Sequence, residues 1–175
     1  IQDRPMIQMV YERASEVFEH LYVATDDQRI KRAVKKFGGR CVMTSPDHPS
    51  GTDRCLEAYR KIRKKTRKKF RIVVNVQGDE PLVHPSQIRE LVSCFDISGT
   101  DIATLIQRVT DADAIQNPDV VKVVTDHQFR ALYFSRHPIP FDRRSEGASA
   151  GEVIYHKHIG IYAYRTKVLK EICGL

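Results

Sequence analysis

A short acidic motif follows one of the most apolar segments of the sequence. Residues 71–77 form a nearly continuous run of β-branched side chains, and Gly78-Asp79-Glu80-Pro81 comes directly after it. A carboxylate at the end of a strand suits a hard cation such as Mg²⁺ that bridges phosphates, and Gly78 allows a ligand to approach the backbone. The same four residues are also typical of a simple turn with a capping acid, so the motif alone leaves both interpretations open.

A second candidate motif is His48-Pro49-Ser50-Gly51-Thr52-Asp53-Arg54, directly before a segment with helical periodicity. Small hydroxyl side chains, a glycine and a cation at the start of a helix can present backbone N–H groups and Arg54 to an anion. Ser, Thr and Asp are equally common as helix caps for local reasons, which is the alternative interpretation.

The elements that must position these motifs alternate between strand and helix in the first half of the chain. The patterns predict helices over 5–18 and 28–37, from about 53, near 85 and near 166, and strands over 20–25, 41–44, 71–77, 101–106, 120–125, 131–135 and 159–164. We therefore expect an α/β fold with a mixed, mostly parallel, Rossmann-like sheet and helices on both faces. In such a sheet Thr25-Asp26, the 45–54 loop and residues 77–80 line one crevice beyond the strand ends.

Composition limits the class of protein. The chain has 175 residues, 41% of them hydrophobic, which is enough for one domain with a buried core. No apolar run reaches the roughly 20 residues that span a bilayer, and the start lacks the layout of a signal peptide, so we expect a cytoplasmic protein without membrane insertion. The four cysteines are widely spaced and predict neither a zinc site nor a disulfide framework.

The net charge of +7 comes from one place. Residues 60–71 contain nine Lys or Arg and no acid, and the rest of the chain is close to neutral. Helical spacing of Cys55, Leu56, Tyr59 and Ile62 favours a helix with one buried stripe and a solvated basic face. A nucleic-acid-binding domain that uses this basic face is the less favoured alternative, because only Tyr59 and Phe70 could stack on bases.

Several motifs together resemble one family. They are the 48–54 and 73–81 segments, Ala131-Leu132-Tyr133-Phe134-Ser135-Arg136, and His158-Ile159-Gly160-Ile161-Tyr162-Ala163-Tyr164-Arg165. In order and spacing these motifs resemble the 3-deoxy-manno-octulosonate (Kdo) cytidylyltransferases, or CMP-Kdo synthetases, of the nucleotide-diphospho-sugar transferase superfamily. The resemblance runs the whole length of the chain, and it is stronger than that to the CMP-sialic acid synthetases.

The resemblance implies a role for each matching residue. Asp79 is the implied Mg²⁺ ligand, and Asp79 and Arg54 are the implied catalytic residues. The implied nucleotide-binding residues are His48, Ser50, Gly51, Thr52, Gln77 and Gly78. The implied sugar-binding residues are Arg136, His158 and Tyr162.

The resemblance also implies a reaction and an assembly. CMP is transferred from CTP to Kdo for lipopolysaccharide biosynthesis, pyrophosphate is released, and the enzyme is a homodimer. A cytidylyltransferase for another sugar acid is an alternative. The family's basic phosphate loop and a second metal-binding Asp have no counterpart in the sequence, so we expect residues 1–175 to be a single cytidylyltransferase domain that lacks these two terminal segments.

Overall fold

A computed structural model describes residues 4–142 and 153–174. The chain divides into two compact units. The first comprises Ile1–Ala103 and Ile161–Leu175, and the second comprises Thr104–Gly160. The expectation of one domain over residues 1–175 stays a prediction.

The first unit begins with two helices and two short strands. Helix α1 is Met6–Ser15, strand β1 is Val23–Thr25, helix α2 is Gln28–Lys36 and strand β2 is Cys41–Met43. Asp27 caps α2 by accepting from the Arg29 backbone N–H. The helix ends where Gly38 takes a φ of 79°, a left-handed conformation that glycine adopts without strain. Strands β1 and β2 pair in parallel, Val23 opposite Cys41.

Helix α3 is the longest helix of the described residues and organises the rest of this unit. It is Gly51–Thr66, and strand β3 (Ile72–Asn75), helix α4 (Pro85–Ser93) and a 3-10 helix (Cys94–Asp96) follow it. Helix α3 packs against β1, β2 and β3, and against helix α6 (Thr166–Ile172). Its apolar stripe enters a core made of Leu56, Tyr59, Tyr164 and Leu169. The predicted basic helix with one buried stripe is therefore confirmed.

The second unit is built around a β-hairpin. Strands β5 (Lys122–Thr125) and β6 (Ala131–Ser135) pair antiparallel, and helix α5 (Ala112–Gln116) precedes them. The turn between them closes where the Asp126 N–H donates to the Arg130 carbonyl at 2.9 Å, as the sequence predicts for a turn in this segment. Helix α5 was not predicted, because five residues are too few to show a helical period.

Two strands run through both units. They are β4 (Ile102–Val109) and β7 (Tyr155–Arg165). In the first unit β7 pairs antiparallel with β3, Asn75 opposite Tyr162, and in the second it pairs antiparallel with β5. The strand predicted over 159–164 is thus longer than expected.

The α/β class is confirmed, but a mostly parallel sheet is not. Of the strand pairs whose direction is defined, β1–β2 is parallel, whereas β3–β7, β5–β6 and β5–β7 are antiparallel. The prediction relied on β3 being apolar on both faces, and such a pattern reports burial rather than strand direction. The direction is set by β7, which the sequence places far from β3. Among the described residues, no helix has the length and apolarity needed to cross a membrane.

Candidate active site

The N-terminus of α3 is formed by the small polar residues of the 48–54 motif. Ser50 is the N-cap: its hydroxyl accepts from the Asp53 backbone N–H at 3.2 Å and donates to the Asp53 carboxylate at 2.6 Å. This bond satisfies one of the exposed N–H groups at the start of the helix. The N–H groups of Gly51 and Thr52 remain at the positive end of the helix, where they can face an anion.

Gly51 brings this loop against the end of β3. A Cβ atom placed on Gly51 would lie 3.4 Å from the Asn75 Nδ2 atom and 3.7 Å from the Gln77 Nε2 atom. Asn75 is the last residue of β3 and is buried. The two motifs that the sequence singled out therefore meet in the first unit.

Arg54 connects the same loop to the ends of β1 and β2. Its Nη1 atom donates to the Asp26 carboxylate at 3.1 Å and to the Thr44 hydroxyl at 2.7 Å. The Arg54 side chain is 23% exposed. Among the described residues, the Nε and Nη2 groups have no protein acceptor, so they can donate to a phosphate oxygen in the fork geometry of arginine.

A groove opens beside the α3 N-terminus, entirely within the first unit. It has a volume of about 410 Å³ and is lined by Ser50, Thr52, Asp53, Ile102, Tyr162, Tyr164, Ile172 and Cys173. The rings of Tyr162 and Tyr164 stack, with centroids 5.9 Å apart and planes 16° apart, and the Tyr164 hydroxyl is 3.2 Å from the Thr52 hydroxyl. Burial raises the pKa of both tyrosines, so their phenols stay protonated at neutral pH.

His48 is directed toward helix α3. Its Nε2 atom forms a very short contact with the Glu57 carboxylate, which also accepts from the Ser45 backbone N–H at 2.8 Å and pairs with Lys61. Hydrogen bonds from Lys61, Ser45 and His48 lower the pKa of Glu57 to about 2. This arrangement fastens the 45–48 segment to α3. The nucleotide-binding role of His48 stays a prediction.

Asp79 lies in an exposed turn. The Glu80 N–H donates to the Gln77 carbonyl at 3.3 Å, which closes the turn, and Asp79 is exposed. Gly78 faces α1: a Cβ atom there would lie 3.4 Å from the Ile7 Cδ1 atom. Within 4–142 and 153–174, no group of three acidic, His or Cys side chains could hold a metal ion. Asp79 thus stands as a single available carboxylate.

The structure places His158 and Arg136, two of the three predicted sugar-binding residues, in the second unit. The His158 Nε2 atom is 2.9 Å from the Thr104 hydroxyl, which donates to the Ile159 carbonyl at 3.1 Å. Because the hydroxyl has one proton, Nε2 is the donor in that pair. Burial lowers the pKa of His158 and favours the neutral ring. The Arg136 Nη1 atom donates to the Pro118 carbonyl at 2.8 Å.

Sequence reasoning assigned no role to several residues that support these side chains. They are Thr44, Glu57, Asn75 and Tyr164. Tyr164 lies in a quoted motif and shares the alternation of Tyr162, so spacing could have found it. Thr44 and Glu57 act through partners distant in sequence, and no local pattern indicates that.

Comparison with known proteins agrees with this geometry. The family model described as "Cytidylyltransferase" matches residues 1–175. The 3-deoxy-manno-octulosonate cytidylyltransferase of Phocaeicola vulgatus is 49% identical over 98% of this chain and 68% of its own length. The protein of the same name from Escherichia coli is 44% identical over 100% of this chain and 68% of its own length.

A solved structure gives the same result. It is the CMP:2-keto-3-deoxy-manno-octonic acid synthetase complexed with CTP, which is 44% identical with a TM-score of 0.85 and covers 98% of this chain and 67% of that one. Agreement of fold and sequence over nearly every residue means that this chain belongs to the cytidylyltransferase family.

Proposed function

We propose that the chain transfers CMP from CTP to Kdo, forming CMP-Kdo and pyrophosphate. The observation that carries the proposal is the meeting of the α3 N-terminus with the end of β3, where Gly51 lies beside Gln77 and Arg54 is held by Asp26. That arrangement gathers anion-binding groups around a groove with a stacked tyrosine pair. The relatives named for this reaction match almost the whole chain, which favours it over another sugar acid or nucleic-acid binding.

The reaction makes one bond and breaks one. The anomeric oxygen of Kdo attacks the α-phosphorus of CTP, the bond from that phosphorus to the bridging oxygen breaks, and pyrophosphate leaves with the electron pair. The hydroxyl proton of Kdo passes to solvent. Such a transfer depends mainly on positioning and on charge neutralisation, so it needs no protein nucleophile.

The first unit supplies anion-binding groups for the nucleotide. The Nε and Nη2 groups of Arg54 would donate to phosphate oxygens, while Asp26 and Thr44 keep the guanidinium in place. The backbone N–H groups of Gly51 and Thr52 add the positive end of α3. Ser50, Gln77 and Gly78 border the same region and are proposed to contact the nucleotide, as is His48.

Asp79 fits Mg²⁺. This ion is usually held by one or two carboxylates, with substrate phosphates and water as the other ligands, and Asp79 is an exposed carboxylate of this kind. A Mg²⁺ ion there would supply neutralisation of phosphate charge and a lower pKa for the attacking hydroxyl.

Arg136, His158 and Tyr162 are proposed to bind the sugar acid. The guanidinium of Arg136 suits its carboxylate, and the neutral ring of His158 and the protonated phenol of Tyr162 suit its hydroxyls. We further propose the Rossmann-like arrangement with helices on both faces, a cytoplasmic homodimer and a role in lipopolysaccharide biosynthesis, all of which rest on the family resemblance.

A substrate panel tests the proposal. Pyrophosphate release is measured with CTP, UTP or GTP, each combined with Kdo, a sialic acid or no acid, in the presence of Mg²⁺. We expect rapid release with CTP and Kdo alone, and sedimentation of the same preparation reports the homodimer. Equal rates with another acid, or release that needs no acid, would contradict the assigned reaction.

A further inference from the structure

Lys122 is a buried ammonium group that the proposed mechanism does not use. It lies on β5 and is 1% exposed. Among the described residues no carboxylate pairs with it. Its Nζ atom donates instead to three backbone carbonyls, those of Asn117 at 2.9 Å, Val120 at 2.8 Å and Arg136 at 2.6 Å. Burial of a charge without a counter-ion costs free energy, which three acceptors only partly offset.

The three carbonyls belong to two separate segments. Asn117 and Val120 lie in the loop between α5 and β5, and Arg136 directly follows β6. The last ladder pair of the hairpin is Lys122 opposite Ser135, so the ammonium acts just where the β5–β6 pairing stops. It replaces the missing ladder contact with a link through its own side chain.

This link controls Arg136 in two ways. The Lys122 ammonium binds the Arg136 backbone carbonyl, and it also holds the residues on either side of Pro118. The Pro118 carbonyl is the acceptor for the Arg136 guanidinium at 2.8 Å. Both the backbone of Arg136 and the acceptor that orients its side chain therefore depend on Lys122.

The two cations also lie close enough to affect each other. Burial and, to a lesser extent, the positive charge of Arg136 lower the pKa of Lys122. A carboxylate bound at Arg136 would reduce this repulsion. The pair is consequently better matched to an anionic ligand than to an empty site.

We propose that Lys122 is a positioning residue for the sugar acid, which fixes Arg136 in the orientation that receives the carboxylate of Kdo. The inference rests on the proposed function, because it requires Arg136 to bind that carboxylate. It predicts that loss of Lys122 weakens use of the sugar acid and not use of the nucleotide.

The test is a double-mutant cycle in the full protein with Lys122→Met, Arg136→Ala and both together. Kinetics are measured for Kdo at saturating CTP and for CTP at saturating Kdo. We expect Lys122→Met to raise the KM for Kdo about tenfold and to leave the KM for CTP within about twofold. The double variant should be no worse than Arg136→Ala, because Lys122 acts through Arg136.

Two further variants make the result decisive. Lys167→Met is the matched control, since Lys167 is 87% exposed on α6, and its kinetics should be unchanged. Lys122→Gln keeps two N–H donors and is the milder variant if Lys122→Met does not fold. If both Lys122 variants unfold by circular dichroism, Lys122 is a folding residue and the proposal is overturned.

The outcomes separate the inference from the proposed function. A wild-type protein that forms no CMP-Kdo overturns the proposed function. An active wild type in which the two single effects multiply, or in which Lys122→Met raises the KM for CTP as much as that for Kdo, overturns only the role of Lys122.

Discussion

The loop before α3 and the turn after β3 contribute to the same site, but different contacts hold them. In the loop, side chains form the links: Glu57 binds the Ser45 N–H and the His48 ring, and Ser50 binds Asp53. In the turn, the backbone alone forms the link from Glu80 to Gln77, and Asp79 is exposed. The loop is therefore organised before a ligand arrives, whereas the carboxylate of the turn is available to one.

The largest expected effect is in the turn. Asp79→Asn removes the proposed metal carboxylate, so CMP-Kdo formation should fall about 1,000-fold or more. The free energy of unfolding should stay within about 0.5 kcal/mol of wild type, because Asp79 is exposed. Steady-state kinetics and urea unfolding measure the two quantities.

The matched control for this variant is Glu90→Gln, an exposed carboxylate on α4 of the same unit. It should leave both quantities unchanged. If Asp79→Asn keeps its turnover, Asp79 is not part of the mechanism.

An intermediate effect is expected at Arg54, where the loop meets the ends of β1 and β2. Arg54→Lys keeps the charge, but a lysine cannot bind Asp26 and Thr44 and also present a fork to a phosphate. The kcat/KM for CTP should fall about 10- to 100-fold. An unchanged kcat/KM for CTP would show that the guanidinium fork serves structure alone.

The smallest effect on turnover is expected at Glu57, where the change should appear as stability. The pKa of Glu57 is lowered from 4.5 to about 2, so its contribution is complete above pH 4.5 and is lost as the pH falls toward 2. Glu57→Gln should cost about 1 to 2 kcal/mol at pH 7. It should also flatten the fall in stability over that pH window.

Urea unfolding at several pH values checks the prediction for Glu57. Wild type and variant should converge near pH 2. Curves that stay parallel from pH 7 to pH 2 would mean that the Glu57 carboxylate does not hold the loop through its charge.

Local patterns in the sequence were sufficient for the elements and for the two motifs. Pro5, Asp27, Ser50 and Pro85 are start signals at the helices where the structure has them, and Gly38 follows α2. These signals work because capping and turn geometry depend on neighbouring residues. Membership of the family followed in the same way, from motifs whose order and spacing can be read along the chain.

Strand direction and the partners of single side chains required the tertiary structure. Asn75 lies opposite Tyr162, 87 positions along the chain by their numbers, and nothing near β3 indicates which way β7 runs. The contact of Thr52 with Tyr164 and the three carbonyls around Lys122 likewise join segments that no local pattern relates. Short-range preferences thus determined what each segment forms, whereas the burial of one segment against another decided which side chains meet.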